Sequence, residues 1–164
     1  MQKSDLLTLF SYNYWANRHL LKTAARLTPE QYTAPFVGVS HGSLRSTFVH
    51  TLGAEWIWRK RCQEGVMPTA LLSEAEFPTL EALVERWQAE EQAVLGYLDS
   101  LVDADLTRMV SYRRISGQTG EGLLWHILAH VVNHGTQHRA EAAVILTACN
   151  CSPGDVDMVW FFKR

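Results

Sequence analysis

The sequence predicts an all-α protein, a four-helix bundle. Four long segments carry apolar residues at helical spacing, capping and turn residues separate these segments, and strand-like alternation is almost absent. A length of 164 residues fits one domain, and no repeat, low-complexity tract or Pro/Gly linker divides the chain. We therefore expect residues 1–164 to form a single bundle around one core.

The first two long helices are predicted near residues 4–25 and 43–64. Ser4 and Ser43 are good N-cap residues, and Gly65 is a typical helix end. Between these helices, Thr28-Pro29-Glu30-Gln31 has the pattern of a short helix start, and the residues up to Gly42 form a loop.

The last two long helices are predicted near residues 80–101 and 121–148. An apolar stripe with helical spacing runs through the third helix, and four of the seven histidines lie in the fourth. The pattern breaks between them, where residues 109–112 have the character of a short extended piece. The aromatic tail after Pro153-Gly154 is expected to fold back and pack.

Composition excludes several classes of protein. The chain has 15 Lys and Arg against 17 Asp and Glu, a net charge of −2, and so lacks the basic surface that nucleic-acid binding needs. No apolar stretch approaches about 18 residues, so neither a membrane span nor a signal peptide is expected. Three cysteines without zinc-site spacing favour a reducing cytoplasm.

Four histidines follow one another at intervals of four residues along the fourth helix: His126, His130, His134 and His138. Each step drifts by about 40° around a helix, so neighbours share a face but all four cannot bind one ion. An adjacent pair can hold a metal through imidazole nitrogens at about 2 Å. The surroundings of His134 and His138 are polar and suit a metal site, whereas those of His126 and His130 are apolar.

A third ligand has to come from another part of the chain, and His19, His41 and His50 are the candidates. His50 lies in the middle of the second helix among small residues that leave room for an ion. His41 lies in a loop, and His19 has exposed-looking neighbours. The sequence therefore predicts that His50, His134 and His138 bind one divalent metal ion, with hydrogen-bonded core histidines as the alternative.

Other metal and catalytic sites lack their motifs. The chain contains no Glu-x-x-His of a di-iron bundle, no HExxH, no phosphate-binding loop, no GxSxG and no CxxC. Haem held by two histidines stays open, although no attachment motif is present. Three neutral imidazoles leave open positions on a divalent ion, which is typical of a catalytic site.

With these residues in view, the chain resembles the DinB/YfiT-like family of bacterial metalloenzymes, the DNA-damage-inducible protein B family. The resemblance covers essentially the whole chain. It rests on LFSYNYWANRHLL near the start, SHGSLRSTFVHTLGAEWIW around His50, VVNHGTQHR with the pattern Asn-His-x-x-x-His-Arg, and PGDVDMVWFF at the end.

The resemblance implies an up-down-down-up bundle, a homodimer, and nickel or zinc held by His50, His134 and His138. The family is bacterial, and together with the composition this predicts a bacterial cytoplasmic protein without nucleic-acid or membrane partners. Some relatives transfer thiols such as bacillithiol, or use mycothiol to isomerise maleylpyruvate. We accordingly expect a metal-dependent enzyme that brings a low-molecular-weight thiol to a small electrophile.

Two alternatives stay open: a metal-assisted hydrolase, and a stress-related protein that binds metal without catalysis. For the hydrolase, Glu141 is the candidate base. The family usually has Arg-Gly-Gln after its second motif histidine, whereas this chain has Arg139-Ala140-Glu141. Glu141 is expected on the metal face of the helix, either as support for the site or as a surface or dimer-face carboxylate.

Overall fold

The computed structural model describes residues 1–163 and is predominantly helical, as predicted. Its elements are α1 (Lys3–Ala24), α2 (Pro29–Thr33), α3 (Leu44–Arg59), α4 (Leu80–Ser100), β1 (Met109–Arg113), β2 (Thr119–Leu123), α5 (Leu124–Ala148) and α6 (Met158–Phe161). Short 3-10 helices lie at Glu74–Glu76 and Asp103–Thr107. The bounds of α1 and α4 agree with the predicted ones to within one residue.

The four long helices pack side by side. Both α1 and α3 pack against α4 and also against α5. The predicted cap of α3 is present, since the Ser43 side chain accepts a hydrogen bond from the backbone N–H of Ser46. The order of helix directions stays a prediction from the resemblance.

The interior contains separate apolar clusters rather than the one continuous core that the sequence suggests. The first main cluster includes Leu6, Phe10, Val94, Leu98 and Leu128, and the second includes Leu20, Leu52, Leu83, Ile145 and Leu146. Along α1, α4 and α5, buried polar residues fall between these two sets: Asn13, Asn17, Glu90, His138 and Arg139. Buried polar groups need partners, so the residues of this polar layer are expected to hydrogen-bond to other side chains.

Two boundaries differ from the prediction. The α-helical part of α3 ends at Arg59, and Lys60–Glu64 continue it as one turn of π-helix before Gly65, whose φ is 67°. The N-terminus of α5 lies at Leu124 rather than at residue 121, because Thr119–Leu123 pair with Met109–Arg113 as an antiparallel hairpin.

The second strand of this hairpin was missed because it is rich in glycine and has little apolar alternation. A Cβ added at Gly120 would lie 2.7 Å from the ring of Tyr112, its partner across the hairpin. Glycine is therefore required there by close packing, although it weakens the strand signal.

The C-terminal tail folds back onto α1, as predicted. Val156, Met158 and Phe161 pack against Tyr12, Trp15 and Ala16. The hydroxyl of Tyr12 donates a hydrogen bond to the carbonyl of Val156 at 3.1 Å. The tail thereby covers an aromatic surface of α1 that would otherwise face solvent.

Candidate metal centre

Three imidazole rings converge where α3 faces α5. α3 supplies His50, and α5 supplies His134 and His138. The Nε2 atom of His134 lies 3.1 Å from Nε2 of His50 and 3.2 Å from Nε2 of His138. The structure thus brings together the three histidines that spacing and resemblance point to.

These separations suit a bound metal ion. Imidazole nitrogens bind a divalent ion at about 2.0–2.1 Å, so two of them at angles of roughly 90–110° lie about 2.9–3.4 Å apart. The Nε2 distances from His134 to His50 and to His138, 3.1 Å and 3.2 Å, fall inside this range. The residues present therefore fit a metal ion with imidazole ligands.

Glu141 determines which nitrogen of His138 faces the cluster. Its Oε2 atom lies 2.8 Å from Nδ1 of His138. A carboxylate only accepts hydrogen bonds, so Nδ1 carries the proton, and in neutral His138 the lone pair is on Nε2. A carboxylate that orients a histidine in this way is a common support of metal ligands. Of the two roles left open for Glu141, the hydrogen bond favours support.

The two nitrogen contacts of His134 cannot each have a proton of their own between neutral rings. With no proton on Nε2 of His138, His134 has to donate from Nε2 to make that contact. The same atom then has no lone pair with which to accept from His50, so both contacts would have to share one proton. A cation bound by the lone pairs of these nitrogens would need no shared proton.

Burial and repulsion from neighbouring rings keep His50 and His134 neutral. Burial lowers the pKa of His50 to about 3, and the neighbouring His41, His138 and His134 lower it further. Burial and the nearby His138 lower the pKa of His134 to about 4. Because only unprotonated imidazole binds metal, His50 and His134 can bind a cation at neutral pH without first losing protons.

The ring of His41 also lies at the cluster. From the sequence alone, His50 is preferred to His41 as the third ligand, because His41 lies in a loop. Its ring stacks on that of His50, with centroids 3.8 Å apart and planes at 25°, and lies 5.0 Å from the ring of His138. Ring nitrogens of His41, His50 and His138 all lie within 4.8 Å of one another. Gly38 and Gly42 flank His41 in this loop, and both have a positive φ, which glycine adopts readily. Two glycines so close together indicate a tight turn of the chain near His41.

The other histidines lie outside the cluster. The ring of His130 is 5.8 Å from that of His134 and equally far from that of Trp58. His126 and His19 are exposed. The helical drift along α5 thus turns the first two histidines of the series away from the convergence point.

A second polar cluster lies beside the histidine cluster. It includes Arg139, the residue that follows His138 in α5. Arg139 donates hydrogen bonds to the side-chain oxygens of Asn13 and Asn17. The side-chain amides of these two asparagines donate to Oε1 of Glu55 at 2.8 Å and 3.2 Å. Trp87 Nε1 donates to the other carboxylate oxygen at 2.9 Å. These five residues, here called the asparagine network, connect α1, α3, α4 and α5.

Burial dominates the electrostatics of the asparagine network. It raises the pKa of Glu55 to about 7, although hydrogen bonds from Asn13 and Trp87 act to lower it. A Cβ added at Gly135 would lie 2.8 Å from both Nη1 of Arg139 and Oδ1 of Asn13. A glycine at this helical position therefore leaves the space that the guanidinium occupies.

Comparison with protein-family models matches residues 1–163 to the DinB family. The chain belongs to the DinB family. The matched region includes both helices that carry the histidine cluster, as well as the asparagines of α1. No curated protein matches the chain. Within the described part of this DinB-family chain, no helix combines the length and the apolar character that a bilayer crossing requires.

Proposed function

We propose that this DinB-family protein binds one divalent metal ion, nickel or zinc, through His50, His134 and His138. The observation that carries the proposal is the approach of Nε2 of His134 to Nε2 of His50, at 3.1 Å, and to Nε2 of His138, at 3.2 Å. The hydrogen bond from His138 to Glu141 supports it, because it turns a lone pair toward the other two rings.

We propose further that the protein is an enzyme that transfers or uses a low-molecular-weight thiol. A divalent ion bound there would supply Lewis acidity that favours the thiolate form of a thiol. The chain's own Cys62 is unsuited to act as that thiol, because it is buried and burial raises its pKa to about 11. A small thiol from solution, together with a small electrophile, therefore suits the site better.

The position of Glu141 speaks against hydrolysis with this residue as the base. Its Oε2 accepts from His138, and its Oε1 accepts from the backbone N–H and the hydroxyl of Ser40. Burial raises the pKa of Glu141, but these hydrogen bonds outweigh it, so the pKa is lowered. A carboxylate held at both oxygens is a poor proton acceptor and a good orienting group.

Family membership supports two finer expectations, an up-down-down-up bundle and a homodimer. Sedimentation tests the second, because a dimer has twice the 18.6 kDa mass of one chain. A single species at the mass of one chain, at micromolar concentration, would contradict it.

The metal site is tested on protein purified without a nickel column. We expect about one divalent ion per chain, and its loss in each of the variants His50→Ala, His134→Ala and His138→Ala. His126→Ala is the matched control, because this residue is also a histidine of α5 but lies outside the cluster, and it should keep the metal. Retention of metal in all three ligand variants would overturn the assignment.

The thiol chemistry needs its own assay. The metal-loaded protein should show turnover of a reactive electrophile only when a thiol such as bacillithiol or glutathione is added. Turnover of ester or amide substrates without thiol would instead favour the hydrolase. Stoichiometric metal with no turnover in either screen would favour a binding protein without catalysis.

A further inference from the structure

His41 lies at the histidine cluster but belongs to neither long helix that forms it. It is held in the segment between α2 and α3, and its side chain is half-buried. Its ring stacks on His50, so one face of the site is covered by a residue of a loop. A loop residue can change position at a lower cost than a residue inside a helix, because fewer backbone hydrogen bonds hold it.

The carboxylate of Glu141 connects this loop to the histidine cluster through hydrogen bonds. Ser40, the residue before His41, donates to Oε1 of Glu141 from its backbone N–H at 3.2 Å and also from its hydroxyl. The other oxygen of Glu141 accepts from His138 at 2.8 Å. One side chain therefore connects the loop to a residue of the proposed metal site.

His41 and His134 both place a ring nitrogen near those of His50 and His138. Ring nitrogens of His41, His50 and His138 lie within 4.8 Å of one another, and Nε2 of His134 is 3.1 Å from that of His50 and 3.2 Å from that of His138. Ligands of one ion would lie about 2.9–3.4 Å apart. The His41 ring, stacked on that of His50, is therefore close enough to the other nitrogens to reach the same ion by a change of its side chain.

We propose that His41 is a fourth, displaceable ligand of the metal, carried by a loop that Glu141 anchors to the site. This inference rests on the proposed metal site of His50, His134 and His138, and it adds a regulation of that site. In one arrangement His41 stacks on His50 and leaves a position open. In the other it occupies that position, so an incoming substrate has to displace a nitrogen ligand.

Titration with Co²⁺ tests the proposal, because the visible absorption of bound Co²⁺ depends on the number and kind of its ligands. The informative variant is His41→Phe, which keeps an aromatic ring to stack on His50 but has no ligand nitrogen. We expect it to bind one Co²⁺ per chain with a changed spectrum and roughly 10-fold weaker affinity, as for loss of a supporting group rather than a principal ligand. The matched control is His19→Ala, which removes an exposed histidine of α1 and should leave both spectrum and affinity unchanged.

A rescue experiment separates ligand loss from altered packing. Added imidazole should restore the original spectrum in His41→Ala, where the missing ring leaves space, and should perturb the unmodified protein less at the same concentration. Circular dichroism confirms that each variant is folded.

The two proposals fail in different ways. If His41→Phe and His41→Ala have the spectrum and affinity of the unmodified protein while His50→Ala binds no Co²⁺, the metal site stands and the role of His41 is overturned. If the unmodified protein binds no Co²⁺, the metal site is overturned, and the role of His41 with it.

Discussion

The histidine cluster and the asparagine network are neighbours on α5, where His138 belongs to the cluster and Arg139 to the network. They differ in how their polar groups are arranged. In the network, the carboxylate of Glu55 and the guanidinium of Arg139 are bridged by amides that donate on one side and accept on the other. In the cluster, like groups face one another, and burial keeps His50 and His134 unprotonated.

This difference accords with a structural role for the network and with the functional role proposed for the cluster. A buried polar network whose groups are satisfied stabilises a particular packing of helices. A cluster of imidazole nitrogens offers the kind of ligand that the proposed divalent ion would use. On this proposal, adjacent residues of one helix link the four long helices and supply a metal ligand.

The largest expected effect is on the asparagine network. Glu55→Ala should lower the free energy of unfolding of the metal-free protein by about 3–5 kcal/mol, because it leaves the donors of Asn13, Asn17 and Trp87 buried without an acceptor and removes the carboxylate nearest the buried charge of Arg139. Urea denaturation measures this effect. His50→Ala should change the stability far less, since no such charge is left behind. Equal losses in the two variants would remove the distinction between the regions.

Glu141→Gln tests the hydrogen bond that supports the histidine cluster. The glutamine is of similar size but is a weaker acceptor for Nδ1 of His138, so the affinity for metal should fall by about 10–100-fold. The free energy of unfolding without metal should change little, because Glu141 is partly exposed. Competition with a chelator measures the affinity. An unchanged affinity would show that Glu141 does not orient His138.

Gly135→Ala tests the space in the asparagine network. An added Cβ would lie 2.8 Å from Nη1 of Arg139, so we expect a loss of about 1–3 kcal/mol in the free energy of unfolding. Gly96→Ala in α4 is the control, because its Cβ would meet nothing within 4 Å. The free energy of unfolding of that variant should rise by about 0.5–1 kcal/mol, because alanine has the higher helix propensity. A similar rise for Gly135→Ala would mean that Arg139 and Asn13 can move to make room for the added Cβ.

The two regions should respond to pH with opposite sign in metal-free protein. His50 has a pKa of about 3 when folded and about 6.5 when unfolded, so the unfolded chain binds more protons between these values and His50 makes stability rise with pH. Glu55 has a pKa of about 7 when folded and about 4.5 when unfolded, so it makes stability fall as pH rises through that interval.

Urea titrations at a series of pH values between about 4.5 and 6.5 separate these contributions. His50→Gln should make the rise of stability with pH shallower, and Glu55→Gln should make it steeper. A shift of both slopes in the same direction would contradict the assigned pKa changes.

Much of the architecture could be predicted from local patterns. Helical spacing placed α1 and α4 to within one residue, because burying one face of a helix demands that spacing. The predicted cap of α1 was wrong, since Ser4 lies inside the helix and Gln2 is its N-cap. The second strand, Thr119–Leu123, was missed because it has no apolar alternation, and only its pairing with β1 makes it a strand.

For the site, the sequence by itself determined that His134 and His138 share a face of α5, because a four-residue spacing on a helix leaves no other arrangement. The middle position of His50 in its helix and the family motifs indicated the partner from α3. Family membership also follows from the sequence, through a match over residues 1–163.

Only the tertiary structure decided what surrounds these residues. It brought His41 to the cluster, turned Glu141 toward His138, and paired Glu55 with Arg139 through two asparagines. These contacts join residues that are distant in the chain or lie in a loop. The spacing of apolar residues does not predict where a loop folds back or which helices become neighbours. Local spacing determines which residues share a face, whereas packing determines what that face meets.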